Sequence, residues 1–433
     1  APANRCFRPE RAILETSWVD KSLHWLQGRL PSDGLIYYWR RKRFLNKVKT
    51  YGEGVESLDS LQLVNQAREL GIQLRRQGFR DLLVAKMFAL IREQAGRSLQ
   101  MRHFDCQLIG GWIMLQGKVA EMQTGEGKTL SATLPAITAA MAGMPVHVVS
   151  VNDYLTSRDA ETLNPLYTVF NIKVGVITHD VSPVERISAY DADILYVTGK
   201  ELVFDYLRDR MKLNYDQPLR RHAEALSRQS SGQGLQLRGL HFALVDEIDS
   251  VLIDESRTPL VISGSEDNPE QEQFITQAWG LAAQLESGQD FTHIEGQRKI
   301  ELRDDGKAKI QRLSDTFGPL WSGKLRREEV VHQALSARFL FRRDRDYLVR
   351  DGKVELIDPL SGRVMEGRSW ERGLHQMVEL KESCELTDQR RTLARISYQG
   401  FFRRYLHLTG MTGTAKEAST ELCDVYALQA STV

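Results

Sequence analysis

A glycine-rich loop that ends in lysine and threonine is the strongest chemical signal in this sequence. The loop reads TGEGKT and consists of Thr124, Gly125, Glu126, Gly127, Lys128 and Thr129. Its glycines let the backbone turn tightly and approach phosphate oxygens, and a helix starting near Lys128 would point its free amide groups at the anion. The Lys128 ammonium would then reach the β- and γ-phosphates of ATP, and the Thr129 hydroxyl would bind Mg²⁺.

One position departs from the usual phosphate-loop pattern. In GxxxxGK[ST] the first glycine would stand at position 122, where this chain has Met122. The alternative interpretation is a glycine-rich turn with an incidental lysine. The strand before the loop and the helix after it favour the phosphate loop, because that arrangement sets a helix N-terminus against the anion.

An acidic pair supplies the second half of a nucleotide site. ALVDEID (243–249) puts Asp246 and Glu247 at the C-terminal end of an apolar strand, and open parallel sheets bind ligands at that edge. Asp246 would hold Mg²⁺ through its water shell, and Glu247 would orient and deprotonate the attacking water. A solvated acidic turn after a core strand is the alternative. Loop and pair together predict nucleotide hydrolysis that requires ATP and Mg²⁺.

The elements around these residues alternate between strand and helix. Apolar and β-branched runs predict strands at 117–122, 146–151, 174–177, 193–197 and 241–245. Helical spacing predicts helices within 58–99 and at 128–142, 156–170 and 199–212. This alternation predicts an α/β fold in which helices cover both faces of a parallel sheet.

After residue 264 the pattern changes. SGSEDNPEQEQ is typical of a polar linker, and two alternating runs around the RDGK turn within 346–364 predict a hairpin. We therefore expect a separate α+β insert at 265–375. Helical patterning resumes near 376, and LTGMTGTAKEAS (408–419) predicts a turn followed by a helix.

Composition constrains the class of protein. The 433 residues include 58 basic and 57 acidic side chains, so the net charge is +1, whereas a dedicated nucleic-acid-binding protein more often has a basic excess. Four cysteines lie far apart without CxxC spacing, which indicates free thiols in a reducing compartment rather than a zinc site or disulfide framework. Neither a membrane span nor a signal peptide is apparent, so we expect a cytoplasmic protein.

Several long strings resemble those of one family. They are MRHFDCQLIGG (101–111), AEMQTGEGKTLSATLPA (120–136), VHVVSVNDYLTSRDAETLNPLY (146–167), VDEIDSVLIDESRTPLVISG (245–264) and GMTGTA (410–415). Each is similar to SecA, the family of motor ATPases of bacterial preprotein translocation. The resemblance extends over residues 55–433.

The resemblance implies a fold and a set of roles. SecA-like proteins have two RecA-like P-loop domains with ATP between them, and a preprotein-cross-linking domain inserted into the first. Applied here, it implies an N-terminal extension at 1–54, a first RecA-like domain at 55–264 and 376–433, and the inserted domain at 265–375. By this likeness Arg102 and Gln107 belong to the adenine-side motif, and TGT at 412–414 is a coupling motif. The alternatives are a solvated arginine, a surface amide and a simple helix cap.

The same resemblance implies partners and a location. A preprotein polypeptide and the Sec membrane channel are the implied partners, a homodimer is compatible with the likeness, and no specific nucleic acid is expected. The protein would be cytoplasmic and peripherally associated with the inner face of the cell membrane.

The N-terminal region adds an anionic lipid surface as a candidate partner. Its aromatic residues are Trp18, Trp25, Tyr37, Tyr38 and Trp39, and its basic run consists of Arg40, Arg41, Lys42, Arg43, Lys47 and Lys49. Aromatic and basic side chains suit the headgroup region of a membrane. The alternatives are docking on another protein, or aromatics that pack on the protein's own core while the basic run is solvated.

Two departures from the family pattern keep other functions open. Gly199–Lys200 replaces the usual pair of asparagines, and DPLSGR (358–363) replaces DEHTGR. The chain stops where a first RecA-like domain would finish, so we expect the second RecA-like domain and its arginine finger to be missing. We therefore expect weak nucleotide binding and slow hydrolysis by this chain alone.

The alternative functions are a superfamily-2 nucleic-acid helicase, or a specialised SecA-like accessory ATPase or adaptor for a narrow client set. The helicase shares the phosphate loop and the acidic pair. VNDYLTSRD and GMTGTA favour the ATP-driven translocation motor over it.

Overall fold

The computed structural model describes residues 9–11, 35–212, 235–256, 258–266, 269–294, 298–358, 362–365, 369–370, 373–387 and 389–433. The chain forms two compact units. The first consists of Ala1–Ile262 and Leu393–Val433, and the second of Ser263–Thr392. Trp18 and Trp25, which the sequence analysis singled out, lie outside the described residues.

Helices and parallel strands alternate along the described part of the first unit. The helices are α1 (Leu35–Val55), α2 (Ser60–Gln77), α3 (Asp81–Ser98), α4 (Asp105–Leu115), α5 (Lys128–Met141), α6 (Asp153–Val169), α7 (Pro183–Tyr190), α8 (Gly199–Lys212), α13 (Tyr398–Phe402) and α14 (Ala415–Tyr426). The strands are β1 (Val119–Glu121), β2 (Val146–Ser150), β3 (Val174–Ile177), β4 (Ile194–Thr198), β5 (Phe242–Asp246), β13 (His407–Thr412) and β14 (Ala430–Thr432).

These strands form one sheet in the order β14-β1-β13-β5-β2-β4-β3. Every neighbouring pair is parallel, and such a sheet needs helices on both faces. Along β5, Phe242 and Leu244 enter one hydrophobic core while Ala243 and Val245 enter the other. The period of two in a strand explains this division, and it confirms the predicted α/β fold with a doubly covered parallel sheet.

The segment at 408–412 corrects one expectation. It was predicted as a turn, yet β13 runs through it in the middle of the sheet, between β1 and β5. Gly410 lies opposite Val119 on one side and Val245 on the other. A Cβ at Gly410 would collide with the Val245 carbonyl oxygen and with the Ile248 side chain. Glycine therefore serves close strand packing here rather than a turn.

Helix α1 packs into the core of the first unit. Phe44 is 2% exposed and stacks on Trp112, with ring centroids 5.2 Å apart, and it contacts Phe88 edge-on at 5.7 Å. Tyr38 and Trp39 are 58% and 61% exposed. The helix is therefore amphipathic in effect, since one face belongs to the core while the other carries exposed aromatic and basic side chains.

The second unit has its own hydrophobic core. Its described elements are α9 (Pro269–Ala282), β7 (Phe291–Ile294), β8 (Lys299–Leu302), α10 (Asp304–Ser314), α11 (Lys324–Phe339), β9 (Tyr347–Arg350), β10 (Lys353–Ile357), β11 (Val364–Met365) and α12 (Leu374–Lys381). The predicted hairpin is present, because β9 and β10 pair antiparallel. Asp351 and Gly352 between them both have positive φ, as a type I′ turn requires.

The limits of the second unit differ from the predicted insert at 265–375. The unit continues to Thr392 because α12 buries Met377 and Val378 in its core. Two strands, β6 (Pro259–Glu266) and β12 (Gln389–Ser397), carry the chain out of the first unit and back, and they pair as a two-stranded ribbon. None of the helices within the described ranges is long and apolar enough to cross a membrane.

Candidate nucleotide site

Three chain segments meet at one edge of the parallel sheet. β1 ends at Glu121 and leads into the glycine-rich loop, β5 ends at Asp246, and β13 ends at Thr412. Because β13 lies between β1 and β5, the loop and the acidic pair stand one strand apart. Parallel strands end on the same side of a sheet, and this geometry brings the predicted residues together.

The loop is shaped by two glycines with left-handed backbone. Gly125 has φ +92° and Gly127 has φ +75°, and Gly127 is the residue before α5. The Gln107 side chain, on α4, donates from Nε2 to the Glu126 carbonyl oxygen at 2.8 Å. A Cβ at Gly127 would collide with that amide, so glycine is required both by its φ and by the close approach of Gln107.

Met122, the departure from the common loop pattern, is buried. Its side chain is 0% exposed, and its backbone N–H donates to the Thr412 carbonyl oxygen at 2.9 Å. The residue therefore closes the sheet beneath the loop, and the turn itself begins at Thr124.

Lys128 and Glu247 form the central contact of the site. Lys128 Nζ lies 2.6 Å from Glu247 Oε1, with the side chains 13% and 40% exposed. Glu247 has φ +49°, which is unusual for a residue with a Cβ. Strained backbone of this kind clusters at functional sites. The Glu247 N–H donates to Asp246 Oδ1 at 3.1 Å, so the two acids are fixed relative to each other.

Asp246 lies in an environment that opposes its negative charge. Burial raises the pKa of Asp246 to about 6, the neighbouring Glu247 raises it further, and Lys128 acts in the opposite direction. Asp159 on α6 also contributes to the raised pKa of Asp246. A carboxylate held in this way gains from a nearby cation.

The TGT motif contacts the acidic segment directly. The Thr414 hydroxyl donates to Asp249 Oδ2, and the Thr414 N–H donates to Thr412 Oγ1 at 3.2 Å. Burial pushes the pKa of Asp249 upward, but hydrogen bonds from Thr414 and Thr412 outweigh it and the net shift is downward. Thr412 ends β13, so the motif joins the sheet edge to the residues that follow Glu247.

The remaining predicted residues are placed as follows. Gln107 touches the loop, as described above. Thr129 is half-buried in the first turn of α5. Arg102 is half-exposed and pairs with Glu93 and with Glu56, the latter at 3.3 Å; within the described residues this pairing ties it to α1 and α3 rather than to the loop.

Two residues near the site were missed by the sequence analysis. Asp249 was quoted within DEID but given no role, because its partner Thr414 is 165 positions away. Asp159 is 6% exposed and accepts hydrogen bonds from Arg158 at 2.6 and 2.9 Å. Only a buried carboxylate on a helix facing the sheet edge could have indicated Asp159, and helical periodicity alone does not identify that face.

The profile of the SecA DEAD-like domain family matches residues 36–423. The chain belongs to this family. The match begins inside α1, so the family region includes a helix that the sequence analysis assigned to an N-terminal extension.

Relatives named as SecA subunits align with most of the chain. "Protein translocase subunit SecA 2" of Nitrosospira multiformis is 45% identical over 90% of this chain and 59% of its own length. "Protein translocase subunit SecA 2" of Bordetella avium is 46% identical over 95% and 62%. "Protein translocase subunit SecA" of Thermus thermophilus is 42% identical over 89% and 38%. The chain thus spans about 60% of the length of the SecA 2 relatives.

Proposed function

We propose that this member of the SecA DEAD-like domain family is the nucleotide-hydrolysing part of an ATP-driven protein translocation motor. The observation that carries the proposal is the meeting of Lys128 and Glu247 at 2.6 Å, at the strand edge where α/β sheets bind ligands. Family membership and the SecA relatives support a translocase rather than a helicase.

The residues fit a nucleotide and a magnesium ion. A Cβ at Gly125 would meet no heavy atom within 4 Å, so the loop has room for phosphate oxygens beside its backbone. The Asp246 carboxylate and the Thr129 hydroxyl are hard oxygen donors of the kind that Mg²⁺ prefers. When bound, Mg²⁺ would supply positive charge against the phosphate oxygens.

Each residue would then have a defined task. The backbone amides of 125–129 would hold the phosphates at the N-terminus of α5, and the Lys128 ammonium would neutralise their charge. Asp246 and Thr129 would hold the metal, and Glu247 would orient water and take its proton. Gln107 would stiffen the loop through the Glu126 carbonyl. We assign Arg102 and Gln107 to the adenine side on the family likeness.

The second unit would handle the client. We propose that 263–392 is the preprotein-cross-linking domain, and that the Sec membrane channel is the partner to which the client is delivered. The exposed Tyr38 and Trp39 on α1, with basic neighbours such as Arg40 and Lys42, would place the protein at an anionic membrane surface. Such a helix lies in the interface without crossing it.

Titration of the full chain with a fluorescent ATP analogue and Mg²⁺ tests the proposal. We expect saturable binding that requires Mg²⁺ in wild type. Glu247→Gln should bind equally well and lose at least a hundredfold of any hydrolysis, a loss of the size expected for a catalytic base. Glu161→Gln, on the exposed side of α6, is the matched control. Absence of Mg²⁺-dependent binding in wild type would refute the proposal.

A second measurement separates the translocase from the helicase. Unfolded preprotein should increase hydrolysis or strengthen nucleotide binding, whereas single-stranded RNA should do neither. The reverse pattern would establish the helicase alternative.

A further inference from the structure

The residues that follow the acidic pair form a short π-helical turn. The turn spans Ser250–Asp254, and π-helical turns frequently occur at functional sites. Val251 N–H donates to the Glu247 carbonyl at 3.3 Å, and Glu255 N–H donates to the Ser250 carbonyl at 3.3 Å. A hydrogen-bonded path therefore runs from Glu247 to Glu255, a few residues before β6.

The turn is held on one side by the helix that follows the TGT motif. Tyr426, at the end of α14, is 6% exposed and donates from its hydroxyl to the Leu252 carbonyl at 2.7 Å. The start of α14 adjoins Thr414, whose hydroxyl donates to Asp249. Both ends of α14 therefore contact the segment that begins at the acidic pair.

On the other side, the turn meets the point where β12 ends. The hydroxyl of Tyr398, which is 4% exposed, hydrogen-bonds to the Glu255 carboxylate, and the Gln399 N–H donates to the Ser256 carbonyl at 3.3 Å. A Cβ at Gly199 would lie 3.1 Å from the Tyr398 ring and 3.5 Å from Val251. A bulkier residue at 199 would press on this contact, which gives a packing reason for glycine there.

We propose that residues 250–256, called here the coupling segment, transmit the state of the nucleotide edge to the ribbon of β6 and β12. Tyr426 and Tyr398 are its positioning residues. Both strands of the ribbon adjoin the segment: β6 starts at Pro259, after the Thr258 N–H has donated to the Glu255 carbonyl, and β12 ends immediately before Tyr398. A movement of Glu247 would shift the turn and, through these contacts, both roots of the ribbon.

This inference rests on the proposed function, and hydrogen exchange of the full chain separates the two. We expect Mg²⁺ and an ATP analogue to change amide exchange of 259–266 and 389–397 in wild type by threefold or more. In the double variant Tyr398→Phe, Tyr426→Phe the nucleotide Kd should stay within twofold while the ribbon response disappears. Tyr206→Phe is the control, because Tyr206 is also 6% exposed and its hydroxyl donates elsewhere, to Glu10.

Each outcome is decisive. If wild type binds nucleotide but the ribbon does not respond, or if the double variant keeps the response, the coupling segment is refuted and the proposed function stands. If wild type binds no nucleotide, the proposed function itself has failed. Should the double variant melt at a lower temperature than Tyr206→Phe, the exposed Glu255→Gln variant replaces it, since it weakens the Tyr398 contact without touching the core.

Discussion

Lys128 and Glu247 are 119 positions apart in sequence, and their side chains form one ion pair with Nζ 2.6 Å from Oε1. The lysine belongs to the loop after β1 and the glutamate to the segment after β5. Phosphate oxygens bound at the loop would compete with Glu247 for the same ammonium. Nucleotide binding would therefore release the proposed catalytic base from its partner, which links occupancy of the site to readiness for hydrolysis.

Lys128→Ala should weaken binding of the ATP analogue by roughly tenfold to hundredfold. The reason is the loss of a charge-assisted hydrogen bond, which contributes about 1.5–3 kcal/mol. The measurement is a fluorescence titration with Mg²⁺ at constant ionic strength. Lys173→Ala, whose side chain is exposed, should bind like wild type. Affinity of Lys128→Ala within twofold of wild type would contradict the assigned role.

Two buried histidines should make the first unit less stable in acid. Burial lowers the pKa of His103 to about 4, despite a hydrogen bond with the Leu130 carbonyl that acts in the opposite direction. Burial lowers the pKa of His147 to about 3, and Arg238 lowers it further. Both values lie below the unfolded value of about 6.5, so the stability from the neutral rings is complete above that pH and is lost as pH falls toward 4 and 3.

Urea unfolding between pH 7.5 and 4, followed by hydrogen exchange in β2 and β5, tests this prediction. Each histidine should add a slope of up to about 1.4 kcal/mol per pH unit below pH 6. His147→Gln should lower the free energy of unfolding at pH 7.5 and flatten the slope. An unchanged slope in that variant would show that His147 does not set the acid sensitivity.

Gly410→Ala should destabilise the first unit by about 1–3 kcal/mol, the usual cost of overpacking. The added methyl group would meet the Val245 carbonyl and the Ile248 side chain in the middle of the sheet. Gly280→Ala is the matched control, because a Cβ there meets nothing within 4 Å and alanine favours the helix. The comparison is made by thermal unfolding, and equal melting temperatures for both variants would count against the close packing of β13.

The two faces of α1 should respond differently to truncation. Phe44→Ala should cost about 3–5 kcal/mol of stability, as expected for a buried phenylalanine. Trp39→Ala should change the free energy of unfolding by less than about 0.5 kcal/mol and reduce binding to vesicles of anionic lipid. Vesicle flotation of both variants checks this, and unchanged vesicle binding by Trp39→Ala would argue against the membrane-facing role.

The chemistry of the site was legible in the sequence because it depends on short local patterns. The loop at 124–129, the acidic pair at 246–247 and the strand-helix alternation around them follow from backbone requirements of adjacent residues. The hairpin at 350–353 was predictable for the same reason, since Asp-Gly favours the type I′ turn.

What the tertiary structure decided were relations between distant segments. Glycine and threonine in LTGMT indicate a turn by local preference, yet the space between β1 and β5 makes the segment a central strand, since a parallel sheet must pair every buried strand. The burial of Phe44, the contact of Asp249 with Thr414 and the clasp of Tyr398 and Tyr426 around 250–256 likewise depend on residues far apart in sequence. Local propensity does not encode such pairings, because they arise only when the chain has folded around a common core.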